Sequence, residues 1–256
     1  MFLCFDTETD KLPVDKKTYK DFSNVNLQQI SYIIFNSSDL NNIIKTYSSY
    51  VNYLSPIDLI DFKENETTHI KLDQLLSGKS IKEILNDFYN DLLNVNIIIA
   101  HNAMFDISLM KSLAIRNKHF KLFNLLKNIL VFDTMIIGGS LGLKIIDKPY
   151  IKLEDLYKEI IELNEDSITN FTTKHEALDD TMHCYYCFKY LLNHLGYCKL
   201  KYNNDKLLYK DIYDKQDKIF LNKCMNSKQF SLDKIFILYC CCKNGIYDNK
   251  ILNIFN

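Results

Sequence analysis

Five residues carry groups that could do chemistry together: Asp6 and Glu8 near the start of the chain, Asp106 in its middle, and His175 and Asp180 further on. In Phe5-Asp6-Thr7-Glu8-Thr9 the two acids stand at i and i+2. On a strand, that spacing puts both on one face. Buried like charges this close repel, and each resists desolvation. Either a metal cation makes the arrangement favourable, or the strand ends at Phe5 and both acids are solvated loop residues. In Ile99-Ala100-His101-Asn102-Ala103-Met104-Phe105-Asp106, a buried strand ends and a helix begins with an acid in its first turns. The C-terminal edges of strands are where α/β sheets place ligand-contacting residues. Alternatively, Asn102 is an N-cap and Asp106 an acid favoured by the helix dipole. The two readings are compatible, and Asn102 is expected to cap the helix in both. In His175-Glu176-Ala177-Leu178-Asp179-Asp180 the histidine follows a capping-box start, where it can exchange protons near neutral pH. Taken alone, this third segment reads as a polar helix face.

The joint pattern is more specific than its parts. Asp6-x-Glu8 after a first strand, then His101-Asn102-x-x-Phe105-Asp106, then His175-x-Ala177-x-x-Asp180 resembles the DEDDh family. These are the DnaQ-like, RNase T-like 3′→5′ exonucleases with a ribonuclease-H-like fold. The likeness covers roughly residues 1–195, and Gln29-Ile-Ser and Phe132-Asp133-Thr134-Met135 agree with it. The resemblance implies an α/β domain over residues 1–198, with a mixed five-stranded sheet and flanking helices, followed by a C-terminal extension, 199–256. It implies hydrolysis of nucleic acid from a free 3′ end to nucleoside 5′-monophosphates. Asp6 would bridge two divalent metals, Mg²⁺ with Mn²⁺ as a substitute. Glu8 and Asp180 would complete the site of the metal holding the nucleophilic water, and Asp106 would serve the second, in part through water. His175 would be the general base. Thr7, Thr9, His101 and Asn102 would lie against the substrate, His101 being otherwise structural. The family spacing selects Asp180 and leaves Asp179 as a solvated neighbour. His69, His119, His183 and His194 fit no pattern.

These groups need elements to hold them. Phe2 to Phe5 reads as a buried strand, Gln29 to Phe35 as a second and residues 43–53 as a third, together an antiparallel meander. Residues 11–26 are polar and read as a loop. Ser80-Ile-Lys-Glu83 is a capping box, and Ile81, Ile84, Leu85, Phe88 and Leu92 follow at helical spacing, so 80–93 is a helix. Asn96 to Ala100 is a buried strand, and a helix runs from Asn102 to about Arg116. Ile129 to Phe132 is a strand and Leu153 to Ile161 a helix. Thr173-Lys-His-Glu176 opens a last helix to about Leu195, ended by Gly196. Strands first and then alternation indicate an α/β layered domain.

The charge balance is −1, with 31 basic and 32 acidic residues. That argues against a protein holding nucleic acid mainly by a basic surface, but not against one reaching phosphates through metal ions. The charge is uneven: residues 199–256 hold eleven Lys against six Asp, a net of +5, leaving −6 on the first 198. This extension reads as a clamp on nucleic acid, a contact for a polymerase or other replication or repair factor, or a plain packing extension. The abundance of Lys, Asn and Ile over Arg and Ala points to an AT-rich source genome, viral or bacterial. No stretch approaches the ~18 apolar residues of a membrane span, so no membrane partner is expected. An acid at position 6 is unlike a signal peptide, and eight Cys then read as reduced thiols in the cytoplasm. Cys184-x-x-Cys187 reads as core packing. A zinc site at Cys240-Cys241-Cys242 would need a fourth ligand from Cys224 or Cys198; a buried helix or strand is the simpler reading.

The sequence favours DNA over RNA as substrate, because the extension and long first loop are unlike a minimal oligoribonuclease. An RNA-trimming exoribonuclease, a catalytically quiet nucleic-acid-binding module and an enzyme acting on free nucleotides are the alternatives.

Overall fold

The computed structural model describes residues 1–13, 15, 18–52, 68–135, 138, 151–164 and 176–201, excepting the side chains of 162–164 and 192–201. His175, Cys224, Cys240 to Cys242 and all of the extension beyond Lys201 therefore lie outside the described residues, as does the Cys198 side chain.

Six strands form one mixed sheet: β1 (Phe2–Thr9), β2 (Leu27–Phe35), β3 (Ile43–Asn52), β4 (Lys79–Ser80), β5 (Ile97–Ala100) and β6 (Leu130–Asp133). Their order is β4-β3-β2-β1-β5-β6. The first three make the expected antiparallel meander, whereas β1–β5, β5–β6 and β3–β4 are parallel. Around the sheet lie α1 (Leu72–Leu76), α2 (Ile81–Leu92), α3 (Ala103–Arg116), α4 (Phe120–Asn128), α5 (Leu153–Asn164) and α6 (Ala177–Lys201). The mixed α/β expectation holds. The sixth strand is the two-residue β4, whose serine doubles as the cap of α2. Gly78 lets this strand reach β3: a Cβ there would sit 2.5 Å from the Tyr50 carbonyl.

Burial explains the layering. All nine residues of β2 and the first four of β1 are buried, so the sheet is covered on both faces. On one face Leu3, Phe5, Ile30 and Tyr32 pack with Phe88 of α2 and Leu109 and Leu113 of α3. On the other, Phe2, Phe35 and Phe132 surround Phe188 of α6, with ring centroids 5.8, 5.9 and 4.8 Å away. Each such ring contributes about 1.5–3 kcal/mol by leaving water. Cys184 and Cys187 are buried free thiols on α6, so their C-x-x-C spacing is core packing. The capping box of α2 has both halves: the Ser80 hydroxyl accepts from the Glu83 N–H at 3.4 Å, and the Glu83 carboxylate accepts from the Ser80 N–H at 2.9 Å.

Three expectations need correction. β1 does not stop at Phe5; pairing with β2 carries it to Thr9, through both acids. Gly196 does not end the last helix, which continues to Lys201, across the boundary expected near 198. Residues 11–26 are not all loop, because Tyr19–Phe22 form a 3-10 turn that buries Phe22 against the Phe105 ring.

Candidate active site

Because β1 continues past Phe5, Cys4, Asp6 and Glu8 fall on one face of it, and α6 crosses that face. Two bonds fix the crossing: the Thr181 hydroxyl lies 3.1 Å from the Ser31 carbonyl of β2, and the Cys4 thiol 3.5 Å from the Thr181 carbonyl. Gln29, the register partner of Glu8, accepts the Ala177 N–H at the start of α6 at 3.4 Å. Asp180, in the first turn of α6, thereby meets the strand acids. One carboxylate oxygen from each of Asp6, Glu8 and Asp180 lies within 4.8 Å of the other two. Asp179 is not in this group.

The three acids are half-buried, and Asp180 also has the His183 ring 3.7 Å away. Burial first, then the Asp106, Glu8 and Asp180 carboxylates, push Asp6 well above the usual carboxylate range. Burial and then the charges of Asp180 and Asp106 push Glu8 up to about 8. A hard divalent cation removes this penalty by supplying the missing positive charge. The donor set fits one: three carboxylate oxygens from two elements converge, and carboxylate oxygens are the ligands a hard divalent ion takes.

Asp106 approaches from the opposite layer. It is buried at the start of α3 and accepts the Thr7 hydroxyl at 2.5 Å. Burial raises it to about 7, against the lowering effect of the Thr7 bond. It is near enough to raise both strand acids but is not one of the three converging groups.

Asn102 stands at the N-cap of α3 but does not cap it. Its backbone is left-handed, at φ 64°, and its side chain makes no capping bond. The cap comes from Asp133, at the end of β6, whose carboxylate accepts the N–H groups of Asn102 at 3.0 Å, Ala103 at 2.9 Å and Met135 at 3.0 Å. The sequence offered one signal for it, an acid closing a buried strand. Three other site candidates are tied internally. Thr7 holds Asp106, and the Thr9 hydroxyl donates to the Lys11 carbonyl at 3.1 Å. His101 bonds Thr134 through Nδ1 at 3.0 Å and the Ile151 carbonyl through Nε2 at 2.9 Å. Burial lowers its pKa to about 4, so it is neutral with the proton on Nε2. His183, for which the sequence showed no pattern, places Nδ1 3.7 Å from Asp180 Oδ1 and its ring 4.2 Å from that of Tyr157.

Among the described residues, no helix is long and apolar enough to cross a membrane. The RNase T exonuclease family model matches residues 3–188. No curated protein matches the chain. Among solved structures, the fold is similar to that of a full-length 3′-exonuclease, with TM-score 0.51 and 12% identity over 75% of this chain and 81% of that one. It is similar to cell-death related nuclease 4, with TM-score 0.51 and 11% identity over 75% and 63% of the two chains. A third, a 3′-exonuclease in specific recognition of the 3′ end of a histone mRNA stem-loop, has TM-score 0.51 and 13% identity over 75% and 81%.

Proposed function

The chain belongs to the RNase T-like exonuclease family, and from that premise we propose that it is a metal-dependent 3′→5′ exonuclease releasing nucleoside 5′-monophosphates. The observation that carries this reading is the convergence of Asp6, Glu8 and Asp180 from β1 and α6, with Asp106 beside them. These four acids would hold two divalent ions, Mg²⁺ or Mn²⁺, which would supply the positive charge that neutralises the phosphodiester. The chain's own groups do the rest. His175, two residues before α6, takes the proton of the attacking water. Thr7 fixes the Asp106 carboxylate, and Asp133 fixes the helix that carries it. Thr9, His101 and Asn102 line the approach of the terminal nucleotide.

The substrate is a nucleic acid strand with a free 3′ end. DNA is the first reading, from the long first loop and the extension. RNA is the second, because one protein of similar fold is described as recognising the 3′ end of a histone mRNA stem-loop. The Lys-rich extension, 199–256, has three readings: a clamp on nucleic acid, a contact for a polymerase or repair factor, or a plain packing extension.

Labelled single- and double-stranded DNA and RNA, incubated with Mg²⁺, Mn²⁺ or EDTA, test this reading. Stepwise metal-dependent loss of the 3′ label, absent in Asp6→Ala, is the expected result, and the preferred sugar fixes the substrate. No degradation of any strand by the unaltered protein overturns it.

A further inference from the structure

The sheet face opposite α6 carries a surface of the reverse sign. Two open cavities of about 590 and 530 Å³ run along α2 and meet at Lys82 and Asn117, which line both. Although the chain has 32 acids, neither cavity is lined by a single carboxylate. Their cations are Lys82, Lys118, Lys121 and Arg116, the last being the chain's one arginine. The three lysines are exposed, and none forms an ion pair among the described residues. The acids of α2 are engaged elsewhere: Glu83 with Ser80, Asp87 with Lys79, and Asp91 with Lys45. Apart from Leu85, the rest of the charged end is amide and aromatic. Phe120 is 58% exposed at its rim, and Tyr89 lies 5.2 Å from the His119 ring inside it.

At the other end the trough reaches Asn26 and Leu27. Leu27 is the register partner of Thr9, on the strand that carries Asp6 and Glu8. Lys118, Lys121, Tyr89 and Phe120 gather at one end, Lys82 lines both cavities and Arg116 the other, and cations beside aromatic faces suit a chain of phosphates and bases. Both cavities are open to solvent, so together they suit a polymer lying across them better than a small molecule enclosed.

We propose that this trough binds the single-stranded body of the substrate, its phosphates on Lys82, Lys118 and Lys121 and a base against Phe120, while the 3′ end lies at the acidic site. The proposal rests on the nuclease reading for the identity of the strand. It accounts for how an acidic catalytic face holds an anionic polymer: the metal ions hold one phosphate, and the trough holds others upstream.

The test is fluorescence-anisotropy binding of a labelled oligo-dT strand in EDTA, where no hydrolysis occurs, using the full chain and a Lys82→Glu, Lys118→Glu, Lys121→Glu triple variant. All three positions are exposed, and an unchanged thermal midpoint confirms folding. The triple variant is expected to bind at least tenfold more weakly. Its log–log salt slope should be shallower by about 2, three contacts at about 0.7 each. Phe120→Ala should weaken single-strand binding by about tenfold while leaving duplex binding unchanged. With Mg²⁺, hydrolysis of a dinucleotide should be equal in the triple variant and the unaltered protein, whereas kcat/KM on the long strand falls. Unchanged affinity and salt slope in the triple variant overturn the trough, whatever the activity. An unaltered protein that hydrolyses nothing but loses binding in the triple variant overturns the nuclease reading and supports the trough.

Discussion

Asp87 and Asp91 on α2 and Asp6 and Glu8 on β1 are the same chemical groups in opposite surroundings. The α2 pair is met by the protein's own cations and hydroxyls: Lys79 lies 2.7 Å from Asp87, Lys45 2.6 Å from Asp91, and Tyr47 and Tyr32 donate to each in turn. The Lys79 bond holds Asp87 below the usual carboxylate range. The β1 pair meets more acid, and burial drives both members upward. A folded chain can place acids for its own stability or for a guest. Compensation by Lys79 and Lys45 marks the first use, and a half-buried cluster whose members raise one another's pKa suits the second.

Four expected outcomes break or sharpen this contrast. The largest effect falls on Asp6→Asn. Losing a bridging carboxylate should cost at least about a thousandfold in rate, because metal charge stabilisation is worth several kcal/mol and each factor of ten about 1.4 kcal/mol. The same variant, free of metal, should unfold at a higher temperature near neutral pH, since the fold no longer holds a buried carboxyl whose ionised form it disfavours. A lowered midpoint would show that Asp6 stabilises the fold as Asp87 does.

Next, His175→Ala should slow hydrolysis by about 10²–10⁴-fold. Its metal affinity by calorimetry should stay close to that of the unaltered protein, and lost affinity contradicts the general-base role.

The third outcome is a pH dependence. Glu8 has its folded pKa raised from 4.5 to about 8. Between those values the folded state keeps a proton that the unfolded state releases, so stability falls as pH rises through that window. The thermal midpoint of metal-free protein should drop between about pH 5 and about pH 8. The increment from Mg²⁺ should grow over the same range, because the ion binds the deprotonated cluster. A flat profile with and without metal would remove the electrostatic argument for the site. The smallest effect belongs to the compensated side. Lys45→Ala breaks a pair whose lysine is 42% exposed, and should cost under about 1 kcal/mol in denaturant unfolding, with no change in metal affinity.

Much of the site was legible because its signals are short-range. The i, i+2 acids give a shared face once a strand is granted; Asp180 over Asp179 came from the spacing of the family the sequence resembles, and Asp180 is the acid that lies with Asp6 and Glu8. The Ser80–Glu83 box is a local exchange of bonds, and both halves form. The misreadings are of another kind. Polar Asp6 to Thr9 look like a strand end because their pairing partners, Leu27 to Ser31, are distant in sequence. Gly196 looks like a helix stop on local grounds, yet α6 runs through it. The cap of α3 belongs to Asp133, some thirty residues from the groups it binds, so nothing near Asn102 reveals it. Gln29 was noticed as part of a pattern, but its hold on the start of α6 appears only when β2 and α6 are side by side.

The order in which the site's parts occur along the chain has a consequence for synthesis. Asp6 lies on the first strand and Asp180 on the last helix described, 174 positions apart (180 − 6). A ribosome producing this chain makes two acids of the carboxylate cluster at the start and the third only after the six described strands. Until α6 docks across β1, the early acids have no third ligand. A nascent chain therefore lacks the three-acid cluster until α6 is made, and whatever chemistry rests on that cluster arrives late in synthesis.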